Sequence, residues 1–213
     1  MGIHPTAIVH PSAKLGDVTI GPYAIVGENV TLEDGVQIDS HAVVLGPSSI
    51  GAGTRVHSHA VIGDAAQVID PTEAPSRLQV GKNNVFREHS TAHRGSSEGE
   101  GLTVIGDRNY FMAYSHVAHD CIVGNGCVFA NSAAIAGHVV VADGVVIGGL
   151  AGVHQHARIG RLSMVAAGSM CAQDVPPFTM AKGDRVRLFG LNVVGLRRAG
   201  LPQEVIDQLK SAW

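Results

Sequence analysis

Apolar positions recur along this chain with a period of six. From Ile105 the beat falls on Phe111, Val117, Val123, Phe129, Ile135, Val141, Ile147, Val153, Ile159, Val165 and Cys171. From Ser115 onward a second position obeys the same period with small or β-branched residues: Ser115, Cys121, Cys127, Ala133, Val139, Val145, Ala151, Ala157, Ser163, Ser169 and Val175. The N-terminal half starts on Ile3, Val9 and Leu15, slips by one residue, and resumes at Ile20, Val26, Leu32, Ile38, Val44, Ile50, Val56 and Ile62. Six matches neither the 3.6-residue period of an amphipathic helix nor the alternation of a long strand. It fits an all-β parallel β-helix, in which short strands are joined by corners and each coil stacks on the last. Coils then rise by about 4.8 Å each, and backbone edges remain only at the two ends. Three hexads per coil would set residues eighteen apart in columns.

The beat fails in two places, near 64–79 and 92–104, where Pro, Gly, Ser and charge accumulate. Loops leaving a rigid scaffold concentrate ligand contacts, so both are candidate walls of a site. The repeat stops at Pro176–Pro177. The expected organisation is a prism over residues 1–177 and a linker with a short C-terminal helix over 178–213. The helix follows from LPQEVIDQLKSAW, with Pro202 in its first turn, Glu204 near its positive end and Lys210 near the other. Val205, Ile206, Leu209 and Trp213 would share one face needing a packing surface.

Composition narrows the reading. Aromatic residues are 4% and glycines number 27, as a thin interior with many tight corners requires. A net charge of -3 gives no basic footprint for nucleic acid. No run approaches the roughly 18 apolar residues of a membrane span, and MGIHPTAIVHPS lacks the features of a signal peptide. The Met-Gly start leads directly into the repeat, which weakens a lipidation reading. Cys121, Cys127 and Cys171 form no CxxC pair, which fits reduced thiols and a cytoplasmic protein.

The histidines carry the candidate chemistry. Of twelve, His116, His119, His138, His154 and His156 fall in the most regular section. Stacking by eighteen places Asp120, His138 and His156 in one column, and His119, Gly137 and Gln155 in the next. Three readings compete. Corner side chains can simply hydrogen-bond the adjacent coil. Histidines can hold zinc, as in a γ-class carbonic-anhydrase-like β-helix. Or His119 can act as a general base, with Asp120 stabilising the imidazolium and the Gly137 N–H meeting an oxyanion. No GxSxG nucleophile is present, so acid–base work would mean direct transfer between two bound substrates.

The hexads together with SHVAHDCIVGNG, IAGH, VHQ, AQDVPPF, FGLNVVGLRRAG and TAHRG resemble the UDP-N-acetylglucosamine 3-O-acyltransferases that begin lipid A synthesis. The resemblance covers essentially the whole chain. It implies a left-handed helix, a homotrimer with sites between subunits, and transfer of a (3-hydroxy)acyl group from acyl carrier protein to a nucleotide sugar. No metal or separate cofactor is implied; the donor is the acyl-phosphopantetheine thioester. Position by position, it gives His119, Asp120 and Gly137 the catalytic roles. It assigns His93, His116, His138, His154, Gln155, Asn192 and Arg198 to substrate binding. Ala167 and Met170 fall in the acyl-length region, where they predict a shorter or narrower slot. Val68 and Asp70 replace an acidic residue and a lysine of the family, and Val194 and Ala199 replace a glutamate and a basic residue. The chain also stops within the first C-terminal helix of the family's bundle. These departures suggest a minimal version or a paralogue acylating another nucleotide (amino) sugar, with CoA as a possible donor.

Overall fold

The structure, a computed structural model, describes residues 2–69 and 74–213. Among the described residues three faces of eleven, nine and eight strands wrap one narrow core; all pairings are parallel except the last of the first face, and consecutive strands belong to successive faces as far as Met170–Cys171. Regular coils pair residues eighteen apart, as Val123 with Val141 and Ile135 with Val153. The N-terminal slip is a coil of seventeen, pairing Ile3 with Ile20 and Val9 with Val26. All residues of the Ile105–Cys171 beat and of the second, small series are buried. Small inward residues at the corners let the three faces meet, and Phe86, Phe111 and Phe129 stack inside the first face at 4.7 and 4.8 Å. Such rings contribute most where they fill the prism completely; truncating one costs about 3–5 kcal/mol. Buried Asn84 and Asn109 spend their amides on the carbonyls of Gly106 and Gly124, joining coils where the beat carries a polar residue.

The two irregular stretches are narrower than the composition suggests. Arg77–Val80, Thr91–His93 and Leu102–Ile105 are strands, so the excursions run over 65–76 and 94–101. The register there jumps from eighteen to thirty (Ile50 with Val80) and twenty-five (Val80 with Ile105). The excursions are therefore insertions between intact coils.

The segment expected to be a linker continues the prism. Thr179–Lys182 adds in parallel to Met164–Val165 and pairs antiparallel with Arg187–Leu191. Here the period changes from six to two, with Thr179 and Ala181 pointing inward and the chain reversing through Gly183 at φ +118°. Two helices follow, α1 (Val193–Arg198) and α2 (Gln203–Ala212), with Pro202 as the N-cap of α2. Ile206 is buried, whereas Val205 and Trp213 remain exposed, so this chain covers only part of the apolar face.

Candidate active site

Outward residues of the second face set the floor. His116, Ala134, Gly152 and Met170 follow one another in register on successive coils. Two very small residues between two large ones leave a trough along the prism. Ala118, Ala136, Gly137, His154 and Gln155 continue it toward the corner, and Gln67 reaches it from the first excursion. The resulting groove has a volume of about 550 Å³.

His119 and Asp120 sit at that corner. Asp120 takes a left-handed backbone conformation (φ +58°), as do His138 and His156 in the same column. The Asp120 N–H donates to Thr103 Oγ1 at 2.8 Å, which anchors the turn to the preceding coil. His119 Nδ1 meets Asp120 Oδ2 at 2.8 Å, leaving Nε2 as the other face of the ring. A Cβ on Gly137 would lie 2.7 Å from His119 Nε2, so glycine is what lets the imidazole rest against the next coil. The His138 ring stands perpendicular to His119 at 5.2 Å and stacks on His156 at 4.6 Å. Burial pushes the Asp120 carboxyl up, but hydrogen bonds from Ser96 and His119 outweigh it and hold the group below the usual carboxylate range.

Around the dyad burial lowers three imidazoles, those of His93, His116 and His138. Burial pushes His116 down to about 4, and its Nδ1 pairs with Thr91 Oγ1 at 2.7 Å. Burial likewise lowers His93, whose ring meets His116 edge-on at 5.0 Å, and His138.

The sequence therefore places His116, His119, Gly137, His154, Gln155 and Met170 on one groove, with Asp120, His138 and His93 immediately behind it. Asn192 and Arg198 are elsewhere in the chain. The Asn192 amide donates to the Leu162 carbonyl and its oxygen accepts from the Gly195 N–H, so both ends are used in starting α1. Arg198 is exposed in the last turn of that helix. Ala167 sits exposed against Gly148 and does not line the groove. Val68 lines a second cavity of about 620 Å³ between the two excursions, where Arg94 supplies a cation; Asp70 lies outside the described residues. Ser96 and Gln67 have no periodic signal and were not legible as site residues. Among the described residues one group could offer three ligand atoms to a metal, His119, Asp120 and His138, within 4.8 Å of one another. That set holds a carboxylate in place of a third histidine, and its His119 Nδ1 and Asp120 Oδ2 are already bonded to each other.

A hexad prism carrying a His–Asp pair over a small-residue groove fits a transferase of the hexapeptide-repeat class. The bacterial transferase hexapeptide model matches residues 29–64 and 102–137, and the model for domain 2 of Udp N-acetylglucosamine O-acyltransferase matches 174–213. The acyl-[acyl-carrier-protein]–UDP-N-acetylglucosamine O-acyltransferase of Thermodesulfovibrio yellowstonii is 46% identical over 99% of this chain and 82% of its own length. That of Campylobacter concisus is 41% identical, covering 99% and 81%. The UDP-N-acetylglucosamine O-acyltransferase structure from Moraxella catarrhalis superposes with TM-score 0.96 at 39% identity, covering 100% of this chain and 83% of that one. The chain belongs to the UDP-N-acetylglucosamine O-acyltransferase family, and its prism is a left-handed parallel β-helix.

Proposed function

We propose that this protein transfers a (3-hydroxy)acyl group from acyl carrier protein to the 3-hydroxyl of UDP-N-acetylglucosamine, with His119 as general base. The observation that carries this reading is the His119–Asp120 pair at 2.8 Å on the wall of the groove. His119 Nε2 takes the hydroxyl proton as the oxygen attacks the thioester carbon. Asp120, held anionic, stabilises the imidazolium. The Gly137 N–H meets the oxyanion of the tetrahedral intermediate. Collapse breaks the carbon–sulfur bond, and the imidazolium returns its proton to the departing phosphopantetheine sulfur. Atoms and charge balance without a covalent enzyme intermediate.

His116, His154 and Gln155 then contact the substrates along the groove, with His93 and His138 supporting them from behind. Asn192 and Arg198 would serve a site built with a neighbouring subunit, which makes a cytoplasmic homotrimer the working assembly. Met170 closes the acyl end of the groove.

The test is incubation with acyl-carrier-protein and CoA thioesters against UDP-N-acetylglucosamine and its 3-amino analogue, read by mass spectrometry. O-acylation from the carrier-protein donor, abolished by His119→Ala in an intact oligomer, is expected. Preference for the 3-amino acceptor would instead make this a nucleotide amino-sugar acylating paralogue. A second reading rests on the His119, Asp120 and His138 cluster: stoichiometric zinc in the purified protein, with hydratase activity lost on chelation, would overturn acyl transfer.

A further inference from the structure

The second excursion, 94–101, returns onto the catalytic corner. Its ends are pinched together, since a Cβ on Gly95 would fall 2.0 Å from Leu102 N and Gly101 turns at φ +66°. The loop between them presses on the dyad: a Cβ on Gly99 would fall 2.5 Å from the Asp120 carboxyl carbon. Ser96 is 4% exposed, and both of its donors converge on one oxygen. Its N–H reaches Asp120 Oδ2 at 2.9 Å and its hydroxyl reaches the same atom at 2.6 Å. The hydroxyl oxygen meanwhile accepts the Glu98 N–H at 3.3 Å, which turns its own proton toward the carboxylate. Asp120 Oδ2 thus takes two donors from the loop and His119 Nδ1, while Oδ1 is buried with no hydrogen-bond partner among the described residues. A carboxylate free to rotate would swing its oxygen off the line of the His119 Nδ1–H. Three donors on one oxygen prevent that and hold Oδ2 toward the imidazole.

We infer that Ser96 is a positioning residue for acyl transfer: its hydroxyl locks the Asp120 carboxylate in the orientation that keeps His119 as a single Nδ1–H tautomer with Nε2 free. This inference rests on His119 being the general base. It gives the excursion a chemical task in place of a merely tolerated insertion. The loop is the third member of the dyad's hydrogen-bond chain, contributed from 24 residues away in sequence.

The experiment compares Ser96→Ala, Ser96→Thr and His119→Ala in steady-state acyl transfer, with acyl carrier protein thioester and UDP-N-acetylglucosamine varied separately. Ser96→Ala should lower kcat roughly tenfold with both KM values unchanged, as loss of one hydrogen bond to a charged group implies. The acid limb of its pH–rate profile should move to higher pH, because a buried carboxylate deprived of a donor protonates more readily. Ser96→Thr, which keeps the hydroxyl, should restore both. Imidazole ¹⁵N shifts of His119 supply a readout independent of turnover. Ser96→Ala should mix tautomers that the parent and Ser96→Thr keep pure, and an unmixed tautomer in Ser96→Ala would overturn the inference. So would an unchanged kcat and pH profile, equal losses in both Ser96 variants, or a loss confined to KM. If His119→Ala retains full activity, the general-base reading itself fails. If His119→Ala is inactive and Ser96→Ala is not, only the role of Ser96 fails.

Discussion

Among the described residues the prism carries two His–Asp pairs, and their surroundings differ. His57 Nδ1 lies 3.1 Å from Asp39 Oδ2, one coil apart on the first face. His119 Nδ1 lies 2.8 Å from Asp120 Oδ2 at the edge of the second. The distances are alike, but the carboxylates are not. Asp39 also accepts the half-exposed Arg55 guanidinium at 3.1 Å, so its charge is already balanced by a permanent cation. It has little left to stabilise an imidazolium. His57 is pushed down, first by burial and then by Arg55. Among the described residues the Asp120 carboxylate bonds Ser96 and His119 and no arginine or lysine, and its side chain is 3% exposed against 27% for Asp39. His119 also overlooks a groove floored by Ala134 and Gly152, which His57 does not line. One pair belongs to a surface ion network; the other is buried beside a groove with no arginine or lysine bonded to its carboxylate among the described residues.

The largest effect should come from breaking the pairs in parallel. His119→Ala should lower kcat by about 10²–10⁴, the usual contribution of a positioned general base. His57→Ala should leave kcat within about threefold. Comparable losses in the two variants, measured by steady-state acyl transfer in samples of matched oligomeric state, would erase the distinction.

Most of the fold was written in the chain, and the reason is physical. Each inward position must be apolar or small to fit a narrow prism, so Ile105 to Cys171 declares itself at every step. The corner column of Asp120, His138 and His156 follows from the same arithmetic. What escaped is what period six does not govern. The bond between Ser96 and Asp120 depends on how a loop folds back, and no spacing encodes that. The hairpin Thr179–Lys182 with Arg187–Leu191 was hidden because inward residues there alternate. Helix α1 escapes the pattern because it has only six residues and a cap, Asn192, that the resemblance assigns to substrate binding. Sequence spacing likewise could not separate Met170, which lines the groove, from Ala167, which does not.

A middle-sized effect concerns pH. His116 is held down at about 4 in the folded chain, and its ordinary value is 6.5. Below that ordinary value the unfolded chain binds a proton that the folded one refuses, so stability falls as pH drops from 6.5 toward 4. His116 alone should cost about 2 kcal/mol between pH 7 and pH 5. His93, lowered in the same direction by burial, adds to the slope. Denaturant unfolding at the two pH values should show the loss, and His116→Gln should flatten it. His57→Gln should flatten it less, since His57 is the less buried of the two imidazoles. A slope indifferent to His116 would mean that the groove does not desolvate its histidines more than the first face does.

The smallest expected effect tests the far end of the groove. Met170 is 51% exposed, and its sulfur lies 3.1 Å from where a Gly152 Cβ would be, so the side chain lies over the trough that Ala134 and Gly152 leave open. Three coil steps separate it from His116, roughly 14 Å along the prism. An acyl chain running from the dyad along this floor would meet Met170, the last of the four residues in register. Met170→Ala should therefore admit a donor about two carbons longer. Each buried methylene contributes about 0.8 kcal/mol, so kcat/KM for the longer donor should rise several-fold relative to the shorter one. Ala167→Gly, altering an exposed corner outside the groove, should shift the preference less. The acid limb of the pH profile should not move in either variant, because neither side chain touches Asp120 or His119. If Ala167→Gly changes acyl preference more than Met170→Ala, the chain does not follow the Ala134–Gly152 floor. The groove would then leave the second face at the corner beside Gly148.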